Sequence, residues 1–80
     1  MRKKKEKLVI AFHTTADAMK MEEECKKAGI AGRLIPVPRE ISAGCGMAWS
    51  SDPDQQETLE TLMTAHGIDA EDIRLCLLWA

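Results

Sequence analysis

Hydrophobic residues recur along this chain in two different spacings, and each spacing predicts one kind of secondary structure. The apolar run Leu8–Phe12 is rich in strand formers and predicts a first strand. Apolar residues then return every three or four positions, which is the repeat of one helix face: Ala18, Met21, Cys25 and Ala28. Arg33–Val37 and Ile73–Trp79 predict two more strands, and Gly46–Ser50 predicts another from its position more than from its residue types.

The ends of the first helix are marked by residues that suit helix termini. Thr14 followed three positions later by Asp17 has the form of a capping box, in which two side chains satisfy the exposed amides of the first turn. Gly29 reaches the left-handed backbone that often follows a last helical turn at no steric cost. These signals predict a helix between Thr14 and Gly29.

A second helix is predicted further along the chain by the same kinds of signal. Asp52 is a suitable N-cap, Pro53 suits the first helical position, and Gly67 ends the segment. The predicted buried face of this helix holds four residues: Leu59, Leu62, Met63 and His66.

The predicted order is strand, helix, strand, strand, helix, strand, which is the split βαβ order of an α+β ferredoxin-like sandwich. Right-handed crossovers give an antiparallel sheet with the order 4-1-3-2. Pro36 and Pro38 lack amide protons, which favours an edge position for the second strand. Several strands are apolar on both faces, so the sheet face opposite the helices needs cover, and we expect a homodimer through that face.

Composition limits the chain to one small domain. At 80 residues and 8.9 kDa it can build one thin core, and a hydrophobic fraction of 45% with 30% charged residues excludes a disordered chain. Residues 1–7 carry five basic side chains and one acidic, a balance of +4, and are predicted to form a flexible basic tail ahead of a domain at 8–80. The sequence has no apolar stretch of membrane-spanning length, and its charged start is not followed by the apolar h-region of a signal peptide, so we expect a cytoplasmic protein.

The charge balance also bears on partners. After residue 7 the chain has six basic and twelve acidic side chains, a balance of −6, which argues against a nucleic-acid partner. The chain has one Phe, two Trp and no Tyr, too few aromatic residues for RNA recognition on the sheet. No spacing of cysteines or histidines matches a metal site, and no motif implies a cofactor.

Three cysteines, an odd number, favour reduced thiols over a disulfide framework. Cys25 falls on the apolar face of the first helix and Cys76 within an apolar strand, so both are interpreted as packing residues. Cys45 differs, because it lies between Gly44 and Gly46 in a polar loop where a thiol has no evident packing use. Cys45 is therefore the candidate reactive residue.

The predicted topology brings distant residues to Cys45. The third strand starts beside the end of the first, which places the Cys45 loop near His13, Thr14 and Thr15 and near the amino end of the first helix. A thiol has a pKa of about 8.5, and a helix N-terminus or a cation such as Arg39 or protonated His13 favours its thiolate. Ser42, Thr14 and Thr15 are candidate hydrogen-bond donors to it, and the flanking glycines leave the sulfur accessible.

A set of short segments resembles one known family. The segments are Phe12–Thr15, Ala28–Ile30, Arg33–Arg39, Ile41–Ser42 and Cys45–Gly46. They are similar to a small bacterial family called putative selenium/sulfur carrier protein-like, and cover about half of the chain, leaving the basic tail and the second helix outside. Members of this family look like single small domains that carry the chalcogen on a cysteine, and Cys45 matches that position. Ala43 and Gly44 stand where members commonly have serines.

Two functions of different class follow. The resemblance and the site chemistry imply a carrier that accepts sulfur or selenium from a donor protein, holds it on Cys45 as a persulfide or selenosulfide, and passes it to an acceptor protein without being an enzyme. The alternative is a regulatory module that binds a small molecule or another protein, with Cys45 incidental. Thiol reactivity separates them, since only a carrier requires a Cys45 that alkylates at pH 6 faster than ordinary cysteine.

Overall fold

A computed structural model describes residues 3–39, 41, 44 and 46–79, and within them the predicted order of elements is present. A short 3₁₀ turn, Pro53–Gln55, is the one addition among these residues. The strands and helices are β1 (Lys4–Phe12), α1 (Thr15–Ala28), β2 (Arg33–Pro36), β3 (Met47–Ser51), α2 (Gln56–His66) and β4 (Ala70–Trp79).

The four strands form one antiparallel sheet in the order β2-β3-β1-β4, which is the predicted order 4-1-3-2. The protein is therefore an α+β sandwich consistent with the ferredoxin-like fold. The central strand β1 pairs with both neighbours, so that Ile10 lies opposite Trp49 on one side and Ile73 on the other. The predicted edge positions of β2 and β4 are confirmed.

The local signals at the ends of α1 are confirmed. Thr14 is the N-cap, and its side chain accepts a hydrogen bond from the Asp17 amide. Gly29 follows the last turn with φ 73°, and Gly67 follows α2 with φ 66°. A side chain in this left-handed region strains the backbone, which explains why glycine ends both helices.

The start and the buried face of α2 differ from prediction. Asp52 is the N-cap and Pro53 the first residue of the 3₁₀ turn, as predicted, but the Asp52 side chain makes no capping bond. Its carboxylate instead pairs with Lys7 Nζ at 2.8 Å, and the α-helix begins only at Gln56, after the turn. This ion pair lowers the pKa of Asp52. His66 is exposed rather than buried, with Nε2 3.5 Å from Glu24 Oε1, because the carboxylate on α1 draws the imidazole to the rim of the core.

The first strand begins four residues earlier than predicted. Lys4–Lys7 pair with residues 76–79 of β4, whereas pairing with β3 begins only at Leu8. These residues form the end of a two-stranded ribbon rather than a flexible tail, because β4 is long enough to supply their backbone partners. Residues 4–7 therefore belong to the first strand, which the sequence predicts to begin at Leu8.

Apolar side chains pack on both faces of the sheet. The helix side holds the larger cluster, in which the largest fully buried side chains are Leu8, Ile10, Phe12, Met21, Cys25, Trp49 and Leu59. On the opposite side a smaller cluster gathers Val9, Ala11, Ala48, Cys76 and Ile41. Ile41 comes from the loop after β2 and is only 4% exposed, so this loop covers part of the face for which a second copy was expected.

The exposed large apolar residues in the described part of the chain do not lie on that face. Leu77 is 65% exposed and Leu75 is 47% exposed, and both lie on the same face of β4 as Ile73, which packs on the helix side. Met19, which is 62% exposed, lies on α1. Neither α1 nor α2 is long and apolar enough to cross a membrane.

Candidate thiol site at the carboxyl end of β1

The loop that joins β2 to β3 is held at three described points. At its base the Val37 amide donates to the Gly46 carbonyl oxygen at 3.0 Å, and Gly46 adopts φ 73°. Next, the Ile41 amide donates to the Pro38 carbonyl oxygen at 3.0 Å, which closes a tight turn. The third point is the buried Ile41 side chain on the sheet. The segment that leads to Cys45 is thereby anchored before and after it.

Gly44 connects this loop to the end of β1. Its amide donates to Glu71 Oε2 at 2.9 Å, and a Cβ atom at Gly44 would lie 3.1 Å from the His13 carbonyl oxygen. That distance is tighter than ordinary van der Waals contact, so glycine permits the close approach of the two backbones. The predicted proximity of this loop to the end of the first strand is observed at Gly44 and His13.

Glu71 is the residue of this site that sequence reasoning missed. Ala11 of β1 pairs with Asp72 of β4, but the next residue, Phe12, pairs with Ala70. Glu71 is therefore the extra, unpaired residue of a β-bulge in β4. A bulge re-aims the side chain it carries. Glu71 Oε1 lies 3.6 Å from His13 Nδ1, and the two side chains are 31% and 55% exposed.

The start of α1 supplies less positive potential than the sequence predicts. The Thr14 hydroxyl accepts from the Asp17 amide at 3.2 Å and donates to Asp17 Oδ2 at 3.0 Å, so its proton is already used. The Asp17 carboxylate also offsets the partial positive charge of the helix N-terminus. Thr15, the first helical residue, is exposed. The imidazole of His13 and the carboxylates of Asp17 and Glu71 therefore all lie at this end of the sheet.

The remaining predicted site residues fall in two groups. Arg39 is exposed in the turn between Pro38 and Ile41, and the hydrogen bonds described around Gly44 do not include it. Ser42 and Cys45 lie outside the described residues, so their roles stay predictions. The described contact between the loop and the end of β1 thus involves Gly44 of the loop and the two residues that face it, His13 and Glu71.

The other two cysteines are buried, as expected of packing residues. Cys25 is 0% exposed in the helix-side cluster, and burial together with the neighbouring Glu24 raises the pKa of its thiol to about 11. Cys76 is 8% exposed in the opposite cluster. Because the thiolate is the reactive form, Cys25 is a poor nucleophile at neutral pH.

A further place for a ligand lies away from the Cys45 loop. A shallow cavity of about 450 Å³ opens at the other end of the sheet, where its lining includes Lys7, Arg33 and Ser50. No three His, Cys, Asp or Glu side chains within 3–39, 41, 44 and 46–79 converge to hold a metal ion.

One family model matches this chain, and its match spans residues 7–74. The family is described as putative Se/S carrier protein-like. The matched span runs from β1 through α2 into β4, so it takes in the second helix, which the sequence resemblance left outside, together with His13, Gly44 and Glu71. No curated protein and no solved structure matches the chain.

Proposed function

Because the chain belongs to the putative Se/S carrier protein-like family, we propose that it carries sulfur or selenium on the thiol of Cys45. The Cys45 thiolate attacks the outer sulfur of a persulfide on a donor protein. A sulfur–sulfur bond forms at Cys45 while the bond within the donor persulfide breaks, and the donor cysteine leaves as a thiolate. The product is a persulfide on Cys45, or a selenosulfide when the donor holds selenium.

Delivery repeats the same exchange in the other direction. A thiolate of an acceptor protein attacks the outer chalcogen, and Cys45 leaves as a thiolate. Each exchange conserves electrons, so the cycle needs no oxidant, reductant or cofactor. The protein returns to its starting state only by meeting two partners, a donor and an acceptor, which is the behaviour of a carrier rather than an enzyme.

The observation that carries the proposal is the contact between Gly44 and the end of β1. The residue next to Cys45 in the chain donates its amide to Glu71 and lies against the His13 carbonyl, and Gly44 and Gly46 are both exposed. A thiol adjoining this point can be reached by the loop of another protein. By contrast, the other two cysteines are enclosed in the apolar clusters.

The flanking residues have distinct proposed roles. Protonated His13 and Arg39 stabilise the negative charge of the thiolate and of the terminal persulfide sulfur. Thr15 and Ser42 donate hydrogen bonds to it, whereas Thr14 does so only by giving up its bond to Asp17. Gly44 and Gly46 keep the approach to the sulfur clear.

Two further properties are part of the proposal. Carriage requires a reduced thiol between transfers, which suits the cytoplasm. The second is a homodimer through the sheet face opposite the helices, in which the two copies meet at the part of this face that Ile41 does not cover. A monomeric mass in sedimentation at high micromolar protein concentration would contradict this dimer.

The proposal is tested by loading the protein with sulfur. The chain is incubated with a cysteine desulfurase and cysteine, and peptides are then mapped by mass spectrometry without reductant. We expect one added sulfur on the peptide that contains Cys45, no such gain in Cys45→Ser, and an unchanged gain in the control Cys76→Ser. Equal labelling of the buried cysteines, or labelling that survives Cys45→Ser, would show that Cys45 is not the carrier.

A further inference from the structure

We propose that Glu71 is a positioning residue for the Cys45 thiol and that it acts through His13, which takes up the thiol proton. This inference rests on the proposed function and names the groups that prepare the thiol for transfer. The sequence pattern did not single out Glu71, and its two carboxylate oxygens point to two different parts of the site.

The two oxygens of Glu71 give it two separate tasks. Oε2 accepts the Gly44 amide at 2.9 Å and so holds the residue that precedes Cys45. Oε1 lies 3.6 Å from His13 Nδ1, which is an electrostatic contact rather than a hydrogen bond. One carboxylate therefore binds the loop and also faces the imidazole, and the β-bulge directs it there.

This arrangement favours one nitrogen of His13 as the base. A carboxylate beside Nδ1 favours the tautomer with its proton on Nδ1, which leaves the Nε2 lone pair for the thiol proton. The same carboxylate stabilises the imidazolium once the proton has arrived. The resulting imidazolium in turn favours the Cys45 thiolate.

Protons and electrons balance through the transfer. The proton of the Cys45 thiol moves to His13 Nε2, and the thiolate attacks the outer sulfur of the donor persulfide. The donor sulfur–sulfur bond breaks as the new one forms, and the departing donor thiolate takes the proton back from His13. No electrons enter or leave the pair of proteins.

The charge of Glu71 also has an opposite, direct effect on the thiol. Without His13, a carboxylate near Cys45 repels the thiolate and raises the pKa of the thiol. When His13 takes up the thiol proton, the carboxylate stabilises the imidazolium, and through it the thiolate. The inference therefore predicts that the sign of the Glu71 effect depends on the presence of His13.

A double-mutant cycle measures that sign. Glu71→Gln keeps an oxygen that can accept the Gly44 amide and removes only the charge. The rate of iodoacetamide alkylation of the Cys45 peptide is followed by mass spectrometry from about pH 5 to pH 9 in wild type, in Glu71→Gln, in His13→Ala and in the double variant. Glu60→Gln on α2 removes the same charge far from the site and is the matched control.

We expect Glu71→Gln to slow alkylation about tenfold near pH 6.5 and to shift the rate profile to higher pH by about one unit, whereas the control changes the rate less than about twofold. In the His13→Ala background the same substitution should leave the rate unchanged or raise it. Three results would overturn the inference: a faster Glu71→Gln, an unaltered Glu71→Gln, or a tenfold slowing that persists without His13.

Failure of this inference can be told from failure of the proposed function. If wild type takes up no sulfur on Cys45, the carrier proposal falls whatever the alkylation cycle shows. If wild type loads and Glu71→Gln loads at the same rate with the same pH profile, the carrier proposal stands and only the role of Glu71 is lost.

Discussion

Replacing Ile41 by alanine removes the side chain that holds the β2–β3 loop against the sheet. Ile41 is 4% exposed and shares the smaller apolar cluster with Val9, Ala11, Ala48 and Cys76. It is the only described member of that cluster's buried set that comes from the loop rather than from a strand. Ile41→Ala therefore tests whether the loop depends on this anchor.

The structure sets the expected size of the effect. Truncating a buried Ile to Ala costs about 2–5 kcal/mol, and a surface loop can partly collapse onto the gap, so we expect the lower part of that range, about 2–3 kcal/mol. At roughly 0.05–0.15 kcal/mol per residue, a chain of this size has about 4–12 kcal/mol of stability. The variant should therefore fold, with a clearly lower urea midpoint.

Ile41→Ala should loosen the loop within the folded protein as well as lower the free energy of unfolding of the whole domain. Cys76 lies in the same cluster, so loosening the loop should expose it in the native state and speed its alkylation on the order of tenfold. Met63→Ala is the matched control, because Met63 is 5% exposed in the helix-side cluster and its loss leaves the loop anchored. Urea unfolding and peptide-resolved alkylation of Cys76 are measured on both variants.

Two outcomes would refute this reasoning. If the two variants lose similar stability and Cys76 reacts equally fast in both, the thiol is reached by global unfolding and the loop does not cover it. If Ile41→Ala unfolds at the wild-type urea midpoint, the side chain does not contribute the packing that its burial implies.

Two further predictions concern Gly44 and Cys25. Gly44→Ala should move the loop away from the His13 carbonyl and so change the alkylation rate of Cys45. The control Gly29→Ala strains a helix end by about 1–2 kcal/mol and should lower the urea midpoint without altering that rate. Equal effects of the two substitutions on the rate would contradict the close approach at Gly44. Burial raises the pKa of Cys25 from 9.0 to about 11, so the unfolded state loses this proton first and stability should fall between those values. Cys25→Ala should remove that part of the pH dependence. If the free energy of unfolding of Cys25→Ala, measured in urea, still falls with pH across this range as steeply as that of wild type, the Cys25 thiol is not the buried group responsible.

Features set by neighbouring residues were predictable from the sequence. The Thr14 cap and the glycine that follows α1 depend on a few adjacent positions, and both are confirmed. The strand order followed from the sequence of elements and the handedness of their connections, and the sheet confirms it. The proximity of Gly44 to His13 came from that topology rather than from either residue alone.

Features that depend on contacts between distant segments were not predictable. Asp52 occupies the N-cap position that its local sequence predicts, but its carboxylate pairs with Lys7, which is distant in sequence, instead of capping the turn. Glu71 precedes the predicted fourth strand, Ile73–Trp79, and the bulge that directs its side chain appears only when β4 is paired with β1. The two adjacent acidic residues at positions 71 and 72 are a sequence signal for a functional site. The alternation of side chains along a strand, however, does not predict which face a residue in a bulge occupies.

The most direct test of the carrier proposal is whether sulfur held on Cys45 can leave again. The protein is loaded by a desulfurase, separated from it, and then offered an acceptor thiol, while the masses of the Cys45 peptide and of the acceptor are followed together. A carrier should lose its added sulfur at the same rate as the acceptor gains one, and the Cys45 thiol should reload in a second cycle. Retention of the sulfur on Cys45, or its release only as free sulfide, would contradict the account.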